Sequence, residues 1–582
     1  MKLNKFKTIV PTAAILLSAS LSSCMDDLDK GNIDPNADAN PNITGLYSKC
    51  YAGLIMEGND GNADFEVKDA GQSTLVRNIY YFNELPTDES ICWWSDGGIV
   101  NTCYNQFKAD NDYLKILYYR MMSNISYENH FLGLDEAKAD KTKYAEVRVI
   151  RAYQYLLMLD FWGDPVFTDK ISPETPRQAH TYNTNFDASK TYTRAEFLQM
   201  GREFLFKWVE KELLEAEPDL LPAKPEKDTD ADYGRIDKGA CWLLLSRLYL
   251  NAGTYLNNDG QDNPYWDKAL QYAENVINSD YALFDDSKIS EVAKANGYQP
   301  YDLLFMGDNG SNGASCEAIL PLMQDGDKTQ CYGGSLFFIA ASIDAQTRTV
   351  TGKEFGTTEV DWSGMRVRPS FLTKFVNNPS NLEGKTAKQI REMGIDDRAL
   401  FWGEKAGKAG DNPEMHTVDL EKNSAFKNGL CIVKWNNNYS DNSTQHDTKF
   451  VDTDYFLFRV AEAYLNAAEA EMRLHGENSN KAKEWIDALR NRAHTALHDS
   501  YTLNDVLDER ARELYCEGFR RTDLIRFNQF GGSQATYNWE YKGGSKKGVT
   551  FDKKYNVYPI PSSELLSNPN LTQIDGYNEV QN

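Results

Sequence analysis

Histidine is scarce in this 582-residue sequence, with 7 copies, and the 9 cysteines form no CxxC pair. The i, i+4 pair His494 and His498 has no cysteine or carboxylate at ligand spacing, so it reads as a solvated helix end rather than a zinc site. No dense basic run offsets a formal charge of -24, from 62 Lys+Arg against 86 Asp+Glu. Such a chain repels phosphate, which excludes a nucleic-acid partner. GxSxG, HExxH and GxxxxGK[ST] are missing as well, so the common serine, zinc and phosphate-loop chemistries have no anchor. A pair of carboxylates at hydrolase spacing is the enzymatic alternative that a single sequence leaves open. The apolar stretch that starts at Ile9 runs for only about 13 residues, short of the ~20 that cross a bilayer as a helix.

What is present is an ordinary folded composition, 41% hydrophobic and 25% charged, with 33 Tyr, 27 Phe and 11 Trp. Tyrosine joins a flat apolar face to a hydroxyl, which suits both wet recognition surfaces and large helical cores. The N-terminus, "MKLNKFKTIVPTAAILLSASLSSC", places Lys2, Lys5 and Lys7 before the apolar stretch and reads as an export signal over 1–23. Leu21-Ser22-Ser23-Cys24 resembles the bacterial lipoprotein box, which implies cleavage before Cys24 and acylation of that cysteine. The acidic, Asn/Asp/Pro-rich stretch over 24–42 cannot bury enough apolar surface to fold and reads as a flexible tether. An acidic stretch directly after the lipidated cysteine also resembles a signal for display on the cell surface. Of the other cysteines, Cys241 and Cys516 fall in helical apolar patterns and are expected as core thiols. Cys92 and Cys103 could bridge in an exported protein, which the sequence leaves open.

Helices recur in pairs. "YAEVRVIRAYQYLLMLDFWGDP" carries Val147, Ile150, Leu157 and Phe161 at helical spacing and stops at Gly163 and Pro165. "DKGACWLLLSRLYLNAG", ending at Gly253, is followed by "YWDKALQYAENVINSD", and the two are expected to pack antiparallel. "DYFLFRVAEAYLNAAEAEMRLHG" has Ala461, Leu465, Ala468 and Met472 on one stripe, with "SNKAKEWIDALRNRAH" as its partner. "LNDVLDERARELYCEGFRRTDLIRF" reads as two short helices divided near Gly518. Small residues facing Trp, Tyr and Leu pack as tetratricopeptide-type repeats do, although no strict period is visible. The expected fold is therefore mostly α, a helix-pair scaffold with a loop-rich, partly β or irregular face. Between about 295 and 450, glycine-rich loops surround short runs such as "EAILPLMQ" and "SLFFIAASI", which look like strands or irregular insertions. In a polar loop, "ELPTDESICWWSDGG" sets Trp93 and Trp94 side by side, either as a local staple or as an exposed platform for something flat and partly apolar.

Four segments in order, "RAYQYLLMLDFWGDPVF", "FRVAEAYLNAAEAEMRLHG", "ERARELYCEGFRRTDLIRF" and "YPIPSSELLSNPNLTQIDGY", resemble signatures of the SusD/RagB family of outer-membrane lipoproteins. "NELPTDE", "GRIDKGACWLLLSRLYLNAGTY", "ILPLMQDGDKTQCYGGS" and "GLCIVKW" resemble its starch-binding founder. The resemblance implies one such domain over 43–582, with helical scaffold at about 43–290 and 450–530, the insertion at about 295–450 and a C-terminal docking tail at 551–582. It further implies a non-catalytic, lipid-anchored protein of the outer membrane that captures an oligosaccharide and passes it to a SusC-like TonB-dependent barrel. Starch or malto-oligosaccharide is the expected ligand, with a fructan or another polysaccharide as the alternative, and a pure protein-interaction scaffold as a further class. Carried over residue by residue, the glycan-binding set is Asp69, Arg77, Trp94, Tyr332 and Trp362, with Trp93 as a candidate neighbour. Aromatic rings cover the C–H faces of a pyranose, and the guanidinium fork bridges adjacent hydroxyls. Arg77 could equally form a salt bridge with Asp69 or Glu84.

Two departures from the family pattern stand out. The Trp-x-Trp of the starch-binding founder becomes Cys92-Trp93-Trp94, and an asparagine slot becomes Gly97. Adjacent side chains point apart on a strand or a helix, so Trp93 and Trp94 are not expected to form one platform. No cofactor is required. A structural calcium ion at Asp308, Asp452 and Asp454 is the weaker implication of the resemblance, with another acid lost at Gly310. The competing expectation is that Asp452 or Asp454 caps the following helix.

Overall fold

Most of the long helices begin at a residue whose side chain accepts from the exposed first-turn N–H groups. In the computed structural model, which describes residues 42–577 apart from 60, 226–231, 258–259, 346, 348–358, 407–413, 421–422 and 424, this sets the helix starts. The signal expected over 1–23, Cys24 and nearly all of the tether lie outside the described residues. The elements that position the site are α1 (Leu75–Asn83), β1 (Ser90–Cys92), α2 (Asp112–Gly133) and α3 (Lys141–Phe161). They are followed by α4 (Arg194–Ala216), α5 (Lys238–Leu250), α6 (Trp266–Ile277), β2 (Ala318–Leu322) and α7 (Ser335–Ala341). Then come β3 (Met365–Val367), β4 (Tyr455–Arg459), α8 (Val460–His475), α9 (Asn480–Arg492), α10 (Leu503–Leu514) and α11 (Arg520–Arg526). Asn111, Asp140, Asp237 and Ser479 cap α2, α3, α5 and α9, while Thr193 with Glu196 and Thr502 with Asp505 form capping boxes on α4 and α10.

The expected pairing is present: α3 packs on α2 and α4, α5 on α6, and α8 on α6, α9 and α10. Ala468, Met472, Ala482, Ile486, Tyr501 and Val506 form a buried cluster with Trp485 against it, so small residues on α8 make room for larger ones on its partners. From Ala145 onward α3 is buried on nearly every side and runs through the middle of the scaffold. Each fully buried Leu or Phe there contributes about 1.5–3 kcal/mol.

Four details of the sequence reading are corrected. Gly253 does not end the α5 segment, because a further short helix, Ala252–Asn257, runs through it. "SLFFIAASI" is not a strand but α7, all seven of whose residues are buried. The start of "DYFLFRVAEAYLNAA" is a strand, β4, antiparallel to β2 with Tyr455 opposite Leu322. As a result neither Asp452 nor Asp454 caps α8, whose flanking residue is Arg459.

β4 ties the loop-rich segment to the helices through buried charge. Arg459 donates to Glu317 (2.9 Å), Glu513 (2.6 Å) and Glu517 (2.7 Å). Arg398 pairs with Asp396, Glu509 and Glu513, and Arg492 with Glu317 and Glu513. Every partner is buried, so removing one leaves uncompensated charge in the interior, at about 3–5 kcal/mol. The C-terminal segment packs into the bundle: Trp162 donates to the Pro559 carbonyl (3.0 Å), and Tyr558 to that of Phe82 (2.6 Å). All the elements named here belong to one compact unit, Tyr47–Asn582.

Candidate functional site

Four elements converge on Arg77. Asp69 accepts from Gly71 N–H and caps the turn Ala70–Ser73, which leads into α1 and places Arg77 in its first turns. β1 pairs with β3 in the register Ser90 to Val367 and Cys92 to Met365, which holds the Trp93-Trp94 loop beside the 362–364 loop. That loop is stapled to the end of α7 through Trp362 N–H to Ala340 O (2.7 Å) and Gly364 N–H to Ala341 O (2.8 Å).

The Arg77 guanidinium is 5% exposed and lies 4.7 Å from the Phe337 ring centre, 5.6 Å from Tyr81 and 6.0 Å from Trp362. Its Nε donates to Tyr81 Oη (2.9 Å). No described group accepts from its two terminal nitrogens, and no described carboxylate forms an ion pair with it. Neither salt bridge held as the alternative forms: Asp69 caps its turn, and Glu84 accepts from the Gly518 and Phe519 amides. Burial by itself would lower the pKa of Arg77. The Tyr81 and Tyr113 phenols, the bond to Tyr81 and the Asp69 carboxylate outweigh it, so the pKa is raised and the cation held.

Both tryptophans are half-buried, and both spend their N–H on the facing loop, Trp93 on Ser363 O and Trp94 on Trp362 O (3.0 Å). The Trp94 ring lies against Gly364, where a Cβ would come 2.4 Å from Cζ2, and 6.4 Å from the Phe337 ring. Gly98, at φ 92, precedes the short helix Ile99–Cys103 and turns the chain out of the loop. On the other side of Arg77, a Cβ at Gly71 would lie 2.7 Å from Tyr332 Cβ and 3.6 Å from Arg77 Nη1. Glycine there leaves room for the Tyr332 Cβ against the turn that leads into α1. Tyr332 is itself half-buried, and its hydroxyl accepts from Lys449 Nζ (2.6 Å). The six expected residues thus share one contact network. Phe337, Tyr81, Ser363, Gly364 and Lys449 complete it and were missed in the sequence. Phe337 is the junction of Arg77, Trp94 and Trp362, but it sits in the run read as a strand or irregular insertion.

The acids considered for calcium are held by separate partners. Asp308 accepts from Ser440 N–H (2.9 Å) and from Asn312, while Asp454 accepts from Gln324 N–H (2.8 Å) and Tyr233 Oη (3.1 Å). Burial raises the pKa of Asp454 to about 7. Asp452 instead converges with Asp325 and His446, their ligand atoms within 4.8 Å of one another. Its oxygens already accept from Gly326 N–H (2.8 Å), Tyr439 Oη (3.0 Å) and His446. Cys92 and Cys103 are buried free thiols, and the Cys92 N–H points at Cys103 Sγ (3.4 Å). Cys241 and Cys516 are buried.

A helix-pair scaffold in which α1, α7 and the loops beside β1 and β3 gather an arginine and aromatic rings defines a tetratricopeptide-like protein. Residues 352–577 match the model of the SusD family. The chain is 34% identical to the starch-binding protein SusD of Bacteroides thetaiotaomicron, over 99% of this chain and all of that one. The chain belongs to the SusD family. Among solved structures, a SusD superfamily protein from Parabacteroides distasonis superposes with a TM-score of 0.62 at 18% identity, over 92% of this chain and 98% of that one. Surface glycan-binding protein A from Bacteroides uniformis gives 0.59 at 19%, over 91% and 98%. No described helix is long and apolar enough to cross a membrane.

Proposed function

We propose that this protein captures an oligosaccharide, starch-derived malto-oligosaccharide first among candidates, on the face formed by Arg77, Trp94, Trp362 and Tyr332, with Asp69 and Trp93 at its margin. It binds without catalysing a reaction and passes the glycan to a SusC-like TonB-dependent barrel, anchored to the outer membrane through lipid on Cys24. The observation that carries the reading is Arg77, a buried cation stacked among aromatic rings whose terminal nitrogens are claimed by no described group. Those two nitrogens are not sealed from solvent, and their fixed fork matches adjacent hydroxyls of a pyranose, which would take up both donors. The full-length similarity to a protein named for starch binding supports the same ligand class.

Cys92 supports the alternative of a different glycan. It is buried in β1 opposite Met365, so the first place of the Trp-x-Trp pattern that the resemblance implies offers no ring to the face here. Capture needs no cofactor in this reading, and a calcium ion, if bound, is structural. The test is retention of the purified chain on gels containing maltoheptaose, pullulan or levan, with reducing ends assayed in parallel. Retention without new reducing ends, weakened by Trp94→Ala, is expected. New reducing ends would make the chain a hydrolase, and no retention on any glycan would leave a protein scaffold.

A further inference from the structure

A cavity of about 800 Å³ opens between the start of α10, the end of α11 and the 527–537 loop, and it shares no lining residue with the Arg77 face. Its wall is built in advance. Lys542 Nζ donates to the carbonyls of Gln529 (3.3 Å), Ala535 (3.0 Å) and Tyr537 (2.6 Å), and it lies 4.4 Å from the Trp539 ring centre. Tyr537 Oη donates to the buried carboxylate of Asp88 (2.8 Å), which fixes the far end of the loop to the floor.

Asn504, Gln529, Gln534 and Thr536 line this cavity, and their side chains have no hydrogen-bond partner among the described residues. Each amide offers a donor and an acceptor side by side, which matches a pair of neighbouring hydroxyls. Phe527 and Tyr537, both half-buried, supply flat apolar surface. The charges are already compensated: Lys374 pairs with Asp508 (2.6 Å) and Asp88 (3.5 Å), Arg520 grips Asp88 (2.7 Å), and Arg473 lies 3.4 Å from Glu469. A charged ligand would have to displace one of these pairs, whereas a neutral, hydroxyl-rich one would not. The volume is within the range of small-molecule sites.

We propose that this cavity is a second carbohydrate subsite that takes a short neutral segment of glycan. The proposal rests on the glycan reading of the Arg77 face for its ligand class, but on separate residues. It is tested with the purified full chain and two probes in parallel, maltotriose and levantriose, by hydrogen–deuterium exchange and calorimetry. The variants are Gln529→Ala/Gln534→Ala and, for the other face, Trp94→Ala. With at least one probe, exchange is expected to slow over 503–508 and 527–537, and to remain slowed in Trp94→Ala. Loss of two neutral hydrogen bonds in Gln529→Ala/Gln534→Ala weakens binding at this cavity about tenfold or more, with exchange over 90–94 and 362–364 still responding. Neither side-chain amide bonds to another described residue, so an unchanged unfolding midpoint is expected and is measured alongside. Protection confined to the Arg77 face would overturn the second subsite and leave the proposed function standing. So would cavity protection indifferent to the double substitution. Protection at neither place would overturn both.

Discussion

Gly364→Ala should disable glycan capture without altering any side chain proposed to touch the glycan. An added Cβ would lie 2.4 Å from Trp94 Cζ2 and 2.5 Å from Cε2, closer than real Cβ contacts come, so the indole has to move. Moving it breaks the bond from its N–H to Trp362 O and shifts its edge away from Phe337. The lost hydrogen bond costs about 1 kcal/mol and the overpacking about 1–3 kcal/mol of stability, so the unfolding midpoint is measured beside the affinity. Affinity suffers more. If Trp94 is an anchor of the face, its displacement removes about 2 kcal/mol or more of binding, a roughly thirtyfold weakening. Calorimetry with maltoheptaose on Gly364→Ala, Trp94→Ala and the double variant reads this directly. The two single losses should be similar, and the double should add little to either, because both act through one ring. Wild-type affinity in Gly364→Ala beside a large loss in Trp94→Ala would refute the reasoning, as would full additivity.

Acid should loosen the buried charge cluster. Burial works against ionisation of Glu509, but Arg398, Arg512 and Arg490 overcome it and lower its pKa from 4.5 to about 2. A depressed carboxylate contributes stability that is complete above about pH 4.5 and is lost as pH falls through 2, here about 3 kcal/mol. Thermal unfolding scans should show this acid slope in the wild type and a flatter one in Glu509→Gln, which starts less stable at pH 7; equal slopes would refute the assignment. Dialysis against EDTA should leave maltoheptaose affinity unchanged, since no residue of the Arg77 face belongs to the Asp325, His446 and Asp452 group; a loss restored by calcium would contradict this. Cys24→Ala should leave the chain unacylated and absent from the cell surface, and surface labelling of that variant would contradict the proposed anchor.

The helices were legible where apolar periodicity ran into a stop, as in α3, where Val147, Ile150, Leu157 and Phe161 precede Gly163 and Pro165; the caps Asp140, Asp237 and Ser479 were not read from the sequence. α7 was not legible, since a seven-residue apolar run buried on all sides has no polar face to reveal its period. β4 was hidden for a related reason: its aromatic residues continue the apolar pattern of α8, and only pairing with β2, far away in sequence, makes it a strand. Asp452 and Asp454 were misjudged as caps because that strand separates them from the helix. At the site, Arg77, Trp94, Tyr332 and Trp362 came from family resemblance. The geometry that joins them depends on Gly71, Gly364 and Phe337, whose importance lies in who their neighbours are and so is invisible to local sequence.

The central claim is that glycan binds where Arg77 meets Trp94, Trp362 and Tyr332. A crystal structure of the chain soaked with maltoheptaose tests it most directly. The account predicts sugar rings against Trp94 and Trp362, with adjacent hydroxyls on the Arg77 terminal nitrogens. Ordered glycan elsewhere on the molecule, with this face left to solvent, would contradict it.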